Sequence, residues 1–292
     1  MATARVEQAP AKVNLTLRVV GRRADGYHDI ESLVVFAAVG DALAFTPARA
    51  LALTVRGPTA TASGDIADNL VLKAARALAE RVEGMKLGRF ALSKRLPVAG
   101  GLGGGSADAA AALRLLARAN RMALDDPRLM QAARATGADV PVCLDPRPRW
   151  MRGIGDILSD PLDLPRLAAI LVNPGVAVAT RDVFAALHLE TARNAGAPSS
   201  SLPIGGETRA ALLRTLAKSR NDLEKPAISL QPMIAEALSA LRALAGCRLA
   251  RMSGSGATCF GLFDGSRAAI AGAQALRARH PGWWVRATVL AG

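Results

Sequence analysis

Three groups of residues have the types and spacing for phosphate chemistry. A glycine-rich stretch has five glycines within six positions and reads Pro97, Val98, Ala99, Gly100, Gly101, Leu102, Gly103, Gly104, Gly105, Ser106 and Ala107. Glycines let the main chain curve and turn its N–H groups towards an anion. Lys12 offers an ammonium, and Asp139, on a backbone stiffened by Pro141, offers a carboxylate that suits a catalytic base. An aspartate that bonds nearby main-chain amides is the alternative for Asp139.

The sequence on either side predicts a strand before the glycine stretch and a helix after it. Residues 90–96 alternate with a period of two, and an alanine- and leucine-rich run favours a helix that Ser106 opens and Asn120 closes. This setting favours a phosphate-binding loop over a flexible linker or a tight structural turn, because the N-terminus of the helix would face the anion. Neither the P-loop pattern nor the dinucleotide fingerprint is present.

Composition predicts a globular protein. The 292 residues suggest about two domains, and 51% of them are hydrophobic. The apolar runs are much shorter than the ~20 residues that cross a bilayer, and the N-terminal residues lack the apolar core of a signal peptide, so we expect a cytoplasmic protein without a membrane partner. Cys143, Cys247 and Cys259 are expected to be reduced and structural. They and the histidines lack metal-ligand spacing, so we expect no protein-held metal.

The net charge of +13 fits an anionic partner, either nucleic acid or a polyphosphate substrate. The basic residues, 31 arginines and 6 lysines, are scattered along the chain. Aromatic residues make up 3%, too few for an evident base-stacking platform. The charge alone therefore carries little weight.

Two further stretches carry candidate binding residues. Residues 11–20 alternate as in a half-buried strand, with Lys12 and Asn14 on the polar face. Lys12 is then either solvated or, if that face borders the glycine stretch, an active-site cation. In the next loop, Tyr27 and His28 suit recognition of a flat polar ring, although Tyr27 could instead pack over its own turn.

The remaining patterns predict a mixed α and β chain. Asp68 caps a helix over residues 68–82, Asp126 caps a helix that stops at Gly137, and Thr180 caps a short helix that carries Phe184. Residues 192–206 are expected to form a mobile surface loop. Residues 168–172 are expected to form a buried strand. Strands at 247–252, 257–263 and 283–290, with helices at 207–216, 232–245 and 267–279, resemble a split β-α-β lobe. Residues 253–256 form a second glycine turn that could approach a nucleotide or hold the first glycine stretch.

Three motifs occur in the order that is typical of one family. Residues 10–15, 97–107 and 251–257 resemble the three signatures of the GHMP kinase superfamily. Three more, at 23–28, 137–141 and 221–224, are similar to motifs of one branch of it. That branch transfers the ATP γ-phosphoryl group to the 2-hydroxyl of 4-diphosphocytidyl-2-C-methyl-D-erythritol, in non-mevalonate isoprenoid precursor biosynthesis. The resemblance extends over nearly the whole chain.

The resemblance implies a two-lobed α+β fold with the active site in the cleft between the lobes. The ATP-binding N-terminal domain would be residues 1–160 and would resemble a ribosomal-protein domain. The C-terminal substrate domain would be residues 161–292 and would be the split β-α-β lobe.

The resemblance also implies roles for single residues. Lys12 and Asp139 match the catalytic pair, and residues 97–107 match the ATP-phosphate loop. ATP would arrive as its Mg²⁺ complex, with the metal held mainly by phosphates and water. Tyr27 and Phe184 match a pair that sandwiches cytosine, and His28 matches the residue that bonds its edge. Further substrate contacts match Asn14 and Thr180.

The partners implied are ATP and a small cytidine diphosphate substrate, with no nucleic acid, for a monomer or homodimer. Another small-molecule kinase of the superfamily is one alternative, although Tyr27 and His28 argue against it. A basic RNA-binding protein is the other, because the charge is high and the first lobe would resemble a ribosomal protein.

Overall fold

A computed structural model describes residues 5–187 and 206–291. The predicted loop over 192–206 lies outside these ranges apart from Gly206. In chain order the strands are β1 (Arg5–Asn14), β2 (Arg18–Arg22), β3 (His28–Pro47), β4 (Ala52–Arg56), β5 (Gly88–Ser93), β6 (Arg149–Gly153), β7 (Ile157–Leu158), β8 (Leu167–Asn173), β9 (Cys247–Met252), β10 (Cys259–Phe263) and β11 (Trp284–Leu290). The α-helices are α1 (Leu70–Ala79), α2 (Gly104–Ala119), α3 (Pro127–Thr136), α4 (Val140–Leu144), α5 (Thr180–Ala185), α6 (Arg209–Ala217), α7 (Glu224–Leu230), α8 (Met233–Arg242) and α9 (Ser266–Arg279).

The described chain divides into two compact units. The first unit consists of residues 5–12, 40–98 and 103–146. The second unit consists of residues 13–39, 99–102 and the described residues from 147 onward. No helix in the described ranges is long and apolar enough to span a membrane.

The first unit packs four helices with a small group of strands. The second half of β3 pairs antiparallel with β5, which pairs parallel with β4. Helix α2 packs against α1, α3 and α4. All of its residues from 107 to 117 are buried, because alanines and leucines cover most of its circumference.

The second unit contains the predicted split β-α-β lobe. Its strands lie in the order β11, β8, β10, β9, and each pairs antiparallel with its neighbour. Helices α8 and α9 pack on this sheet. Along the chain, β8 is followed by helices, then β9, β10, α9 and β11. This order confirms the predicted arrangement and the α+β class.

The predicted strand over residues 11–20 is wrong in two respects. It is two strands, because β1 ends at Asn14 and β2 begins at Arg18. The polar face is also buried, with Lys12 only 4% and Asn14 only 1% exposed. Buried polar groups need hydrogen-bond partners, and the chain supplies them to Lys12 Nζ and to Asn14 Nδ2.

Helix α2 begins earlier than the sequence suggested. The predicted start at Ser106 is wrong, because Gly103 adopts a left-handed φ of +60° and α2 starts at Gly104. The Ala107 N–H then donates the first helical hydrogen bond to the Gly103 carbonyl, at 2.8 Å. The predicted end at Asn120 is confirmed.

Two predicted helix caps are wrong and one is confirmed. Asn69, not Asp68, caps α1, since its Oδ1 accepts from the Val71 N–H at 3.0 Å and Asp68 ends a preceding 3-10 turn. Thr180 is the first residue of α5 and does not cap it with its side chain. Asp126 caps α3 as predicted.

Candidate active site

The first half of the glycine stretch is held by the glycine turn after β9. Gly101 has a φ of +74°, and a Cβ there would lie 2.4 Å from the Ser253 carbonyl oxygen. The Ser253 hydroxyl donates to the Gly101 carbonyl at 3.0 Å, and the Thr258 N–H donates to the Gly100 carbonyl at 3.1 Å. The turn therefore has one of the two roles predicted for it, holding the glycine stretch.

The motif at residues 221–224 supports the same turn. The Asn221 Nδ2 donates to the carbonyls of Met252 and Gly254, at 2.9 and 2.8 Å. The Glu224 Oε2 accepts from the Met252 N–H at 2.9 Å. These bonds hold the glycine turn at residues 253–256 in place, and that turn holds Gly101.

The second half of the glycine stretch forms the start of α2 in the first unit. The N–H groups of Gly104, Gly105 and Ser106 precede the first donor to the helical ladder, so they have no acceptor within the helix. Together with the positive end of the helix dipole, they form a site suited to an anion.

Lys12 and Asp139, both in the first unit, form an ion pair. Lys12 Nζ lies 2.7 Å from Asp139 Oδ2. Asp139 immediately precedes α4 but makes no capping hydrogen bond, so the alternative of an aspartate bonded to nearby amides is ruled out. The side chain of Asp139 is 35% exposed while that of Lys12 is 5% exposed. The carboxylate is therefore accessible, and the ammonium beneath it is buried.

Lys12 also lies against the start of α2. A Cβ at Gly103 would lie 3.3 Å from both Cβ and Cε of Lys12. The glycine at this position therefore lets the lysine side chain run beside the helix start. This places the ammonium, the carboxylate and the free helical N–H groups in one unit.

Asn14, in the second unit, is held in one orientation. Its Nδ2 donates to the Ser32 hydroxyl at 2.7 Å, and that hydroxyl donates to the Thr16 carbonyl at 2.5 Å. Its Oδ1 is buried and makes no hydrogen bond to the part of the chain that the structure describes. Asn14 Oδ1 is therefore a buried acceptor that no described residue of the chain satisfies.

The other predicted substrate residues also belong to the second unit. The rings of His28 and Phe184 stack, with centroids 4.6 Å apart and planes 22° apart. Burial, and then the charge of Arg22, lower the pKa of His28 below its usual value. Tyr27 is 60% exposed, so its ring is accessible. The Thr180 and Ser255 hydroxyls share a hydrogen bond of 2.8 Å.

Sequence reasoning missed a buried ionic group, which we call the Lys94 cluster: Lys94, Asp41 and Asp108. Lys94 Nζ donates to Asp41 Oδ2 at 2.5 Å and to Asp108 Oδ2 at 2.7 Å. The side chains are at most 5% exposed. One signal was present, since Lys94 falls on the same face of the alternating stretch as Phe90 and Leu92.

Two family models match the chain. Residues 69–145 match the GHMP kinases N terminal domain, and residues 207–282 match the GHMP kinases C terminal. A homoserine kinase from Cytophaga hutchinsonii shares the fold, with a TM-score of 0.72 and 20% identity over 99% of this chain and 95% of that one. The class of protein is thus defined by fold and by sequence.

Closer relatives narrow the class. A 4-diphosphocytidyl-2-C-methyl-D-erythritol kinase from Rhodopseudomonas palustris strain BisB5 is 57% identical over 99% of both chains. Another, from Methylobacterium radiotolerans, is 59% identical over 97% of this chain and 98% of that one. A crystal structure of 4-(cytidine 5'-diphospho)-2C-methyl-D-erythritol kinase has a TM-score of 0.77 and 35% identity, and covers 99% of this chain and 100% of that one.

The chain belongs to the 4-diphosphocytidyl-2-C-methyl-D-erythritol kinases within the GHMP kinase family. It is an ATP-dependent small-molecule kinase, and the class predicted from its motifs is confirmed.

Proposed function

We propose that the chain transfers the γ-phosphoryl group of ATP to the 2-hydroxyl of 4-diphosphocytidyl-2-C-methyl-D-erythritol and releases the 2-phosphate and ADP. The substrate is that named for relatives 57% and 59% identical. The structural observation that carries the proposal is the ion pair of Lys12 and Asp139 beside the start of α2.

In this mechanism Asp139 is the base. Its carboxylate takes the proton of the 2-hydroxyl as that oxygen forms a bond to the γ-phosphorus, and the bond from the γ-phosphorus to the bridging oxygen of ADP breaks. The Lys12 ammonium, 2.7 Å from the Asp139 carboxylate, stabilises the negative charge that develops on the transferred group. Positioning and electrostatics supply most of the catalysis of phosphoryl transfer.

Residues 97–107 would hold the phosphates. The N–H groups at the start of α2 and the glycine backbone before it supply donors without side-chain bulk. We propose that Mg²⁺ enters bound to the ATP phosphates and water. In residues 5–187 and 206–291 no group of three or more His, Cys, Asp or Glu side chains could hold a metal ion.

The second unit would hold the cytidine diphosphate part. The lowered pKa of His28 keeps its imidazole neutral at physiological pH, with one nitrogen as donor and one as acceptor. A ring with both functions suits the edge of cytosine. Tyr27 and Phe184 offer ring faces for stacking. The Oδ1 of Asn14, which has no partner among the described residues, would accept from a substrate donor, and Thr180 would make a further contact.

Other predictions stay predictions. They are the division into residues 1–160 and 161–292, the cytoplasmic location, the absence of a nucleic-acid partner, and the monomeric or homodimeric state.

The test measures ADP release by the purified protein with ATP, Mg²⁺ and 4-diphosphocytidyl-2-C-methyl-D-erythritol, with phosphorus NMR to locate the new phosphate. We expect turnover that Asp139→Asn lowers by about 10² to 10⁴-fold, the usual contribution of a general base. Asp125→Asn, at an exposed aspartate of the same unit, is the matched control and should retain full activity.

Mevalonate and homoserine serve as competing acceptors in the same assay. Preferential phosphorylation of either one would contradict the proposed substrate. Undiminished turnover by a folded Asp139→Asn variant would contradict the proposed base.

A further inference from the structure

The Lys94 cluster has an uneven number of charges. Two carboxylates face one ammonium, so the buried group carries one net negative charge when all three members are ionised. An uncompensated charge in a dry interior is costly, and uptake of a proton by one carboxyl removes it. The cluster therefore favours binding one additional proton.

Hydrogen bonding identifies the carboxyl that takes the proton. Both carboxylate oxygens of Asp41 already accept hydrogen bonds. Its Oδ1 accepts from the main-chain N–H groups of Arg95 and Leu96, and its Oδ2 accepts from Lys94. Asp108 Oδ1 is buried and makes no hydrogen bond within the described residues. Burial above all, helped by Asp41 and opposed by Lys94, raises the pKa of Asp108 to about 7.

Few other ionisable groups face Asp108. Cys143 on α4 is near, but burial raises its pKa to about 12, so its thiol is neutral in the working range. Burial acts to lower the pKa of Lys94, but the two carboxylates raise it, so Lys94 stays charged. The buried residues of the two other helices that pack against α2 are all apolar: Val71, Leu72, Ala74, Ala75 and Leu78 on α1, and Leu129, Ala132 and Ala133 on α3.

The cluster lies directly at the start of α2. A Cβ at Gly104, the first helical residue, would be 3.2 Å from Lys94 Nζ. Asp108 is itself part of α2, while Asp41 lies on β3, so the Lys94 ammonium ties the helix to the strand. The same contacts fix the position of the start of α2 and place the net charge of the Lys94 cluster next to it.

We propose that the Lys94 cluster positions the start of α2 and sets the charge that the ATP phosphates meet, neutral when Asp108 is protonated and negative when it is ionised. This rests on the proposed phosphate role of residues 97–107. ATP should then bind less tightly as Asp108 ionises above neutral pH. By Coulomb's law at an effective dielectric constant of about 20, a unit charge acting over roughly 10 Å changes an affinity by on the order of tenfold.

The experiment compares the wild-type protein with Asp108→Asn, which keeps the shape and an acceptor for Lys94 but cannot ionise. Calorimetry gives the Kd of a non-hydrolysable ATP analogue with Mg²⁺ from pH 6 to pH 9. The analogue's own phosphate groups titrate in the same way with both proteins. The ratio of the two Kd values therefore reports only the effect of Asp108 ionisation. We expect equal affinities near pH 6 and binding several-fold tighter in Asp108→Asn above pH 8.

Asp125→Asn is the control for removing an exposed carboxylate, and its Kd should equal that of the wild-type protein at every pH. A ratio that stays constant with pH would overturn the proposal. If neither protein binds the analogue at any pH, the proposed phosphate role fails instead. If Asp108→Asn does not fold, carbon NMR of aspartate carboxyls in the wild-type protein decides, and the absence of any aspartate that titrates near neutrality overturns the proposal.

Discussion

Replacing Gly101 with alanine tests whether the turn after β9 fixes the glycine stretch. The left-handed φ of +74° costs an alanine about 1–2 kcal/mol. The new Cβ would also lie 2.4 Å from the Ser253 carbonyl and 2.8 Å from the Gly256 carbonyl. Both are main-chain atoms, so no side-chain rotation relieves the overlap, and overpacking adds about 1–3 kcal/mol. We therefore expect a loss of about 2–5 kcal/mol in the free energy of unfolding.

Thermal unfolding and calorimetric titration with an ATP analogue measure the effect. We expect a melting temperature lower by roughly 4–20 °C, from the 2–4 °C per kcal/mol that is usual for chains of about 150–250 residues. If the glycine stretch moves to avoid the overlap, we expect weaker ATP binding and little change in the melting temperature.

Gly105→Ala is the matched control, because it adds the same methyl group within the same stretch. The nearest atom to its Cβ would be Leu70 Cδ1 at 3.4 Å, an ordinary contact. Within α2, alanine is the better helix former by up to about 1 kcal/mol. The reasoning is refuted if Gly101→Ala keeps both the melting temperature and the ATP affinity of the wild type, or if Gly105→Ala lowers the melting temperature by as much as Gly101→Ala does.

Two further predictions concern the second unit and the cysteines. Arg251 donates hydrogen bonds to the carbonyls of Leu15, Leu216 and Ser219, an arrangement that a lysine ammonium cannot reproduce. Arg251→Lys should therefore lower the free energy of unfolding, measured in urea, by about 2–4 kcal/mol. A change below about 0.5 kcal/mol would contradict this prediction. The three cysteines are free: Cys143 and Cys259 are buried with raised pKa values, whereas Cys247 is only half-buried. A thiol reagent should modify only Cys247 in the folded protein and all three after denaturation; rapid modification of all three in the folded protein would be the contrary result.

The parts of the fold that were predicted well depend on short-range patterns. Strand β9 has the bounds predicted for it, because the glycine turn at residues 253–256 marks its end. The start of α3 was predicted from the Asp126 cap followed by Pro127. In each case the deciding residues lie within a few positions of one another.

The Lys94 cluster was not predictable in the same way. A lysine on an apolar face indicates a buried charge in need of a partner, but periodicity does not say which carboxylate supplies it. Asp41 is 53 residues away along the chain, and Asp108 lies inside an alanine-rich helix. The start of α2 was missed for a related reason, because the left-handed conformation of Gly103 is a property of the folded backbone.

The glycines of the stretch are present for different physical reasons, which a pattern of glycines does not distinguish. Gly101 avoids the main chain of a neighbouring turn, whereas Gly103 and Gly104 make room for Lys12 and Lys94. Two ammonium groups thus reach the start of α2 because those positions lack side chains. Lys12 is paired with one carboxylate and Lys94 with two, so the number of lysines does not by itself determine the electrostatic potential at the ATP phosphates. Under the proposal for the Lys94 cluster, that potential changes when Asp108 ionises.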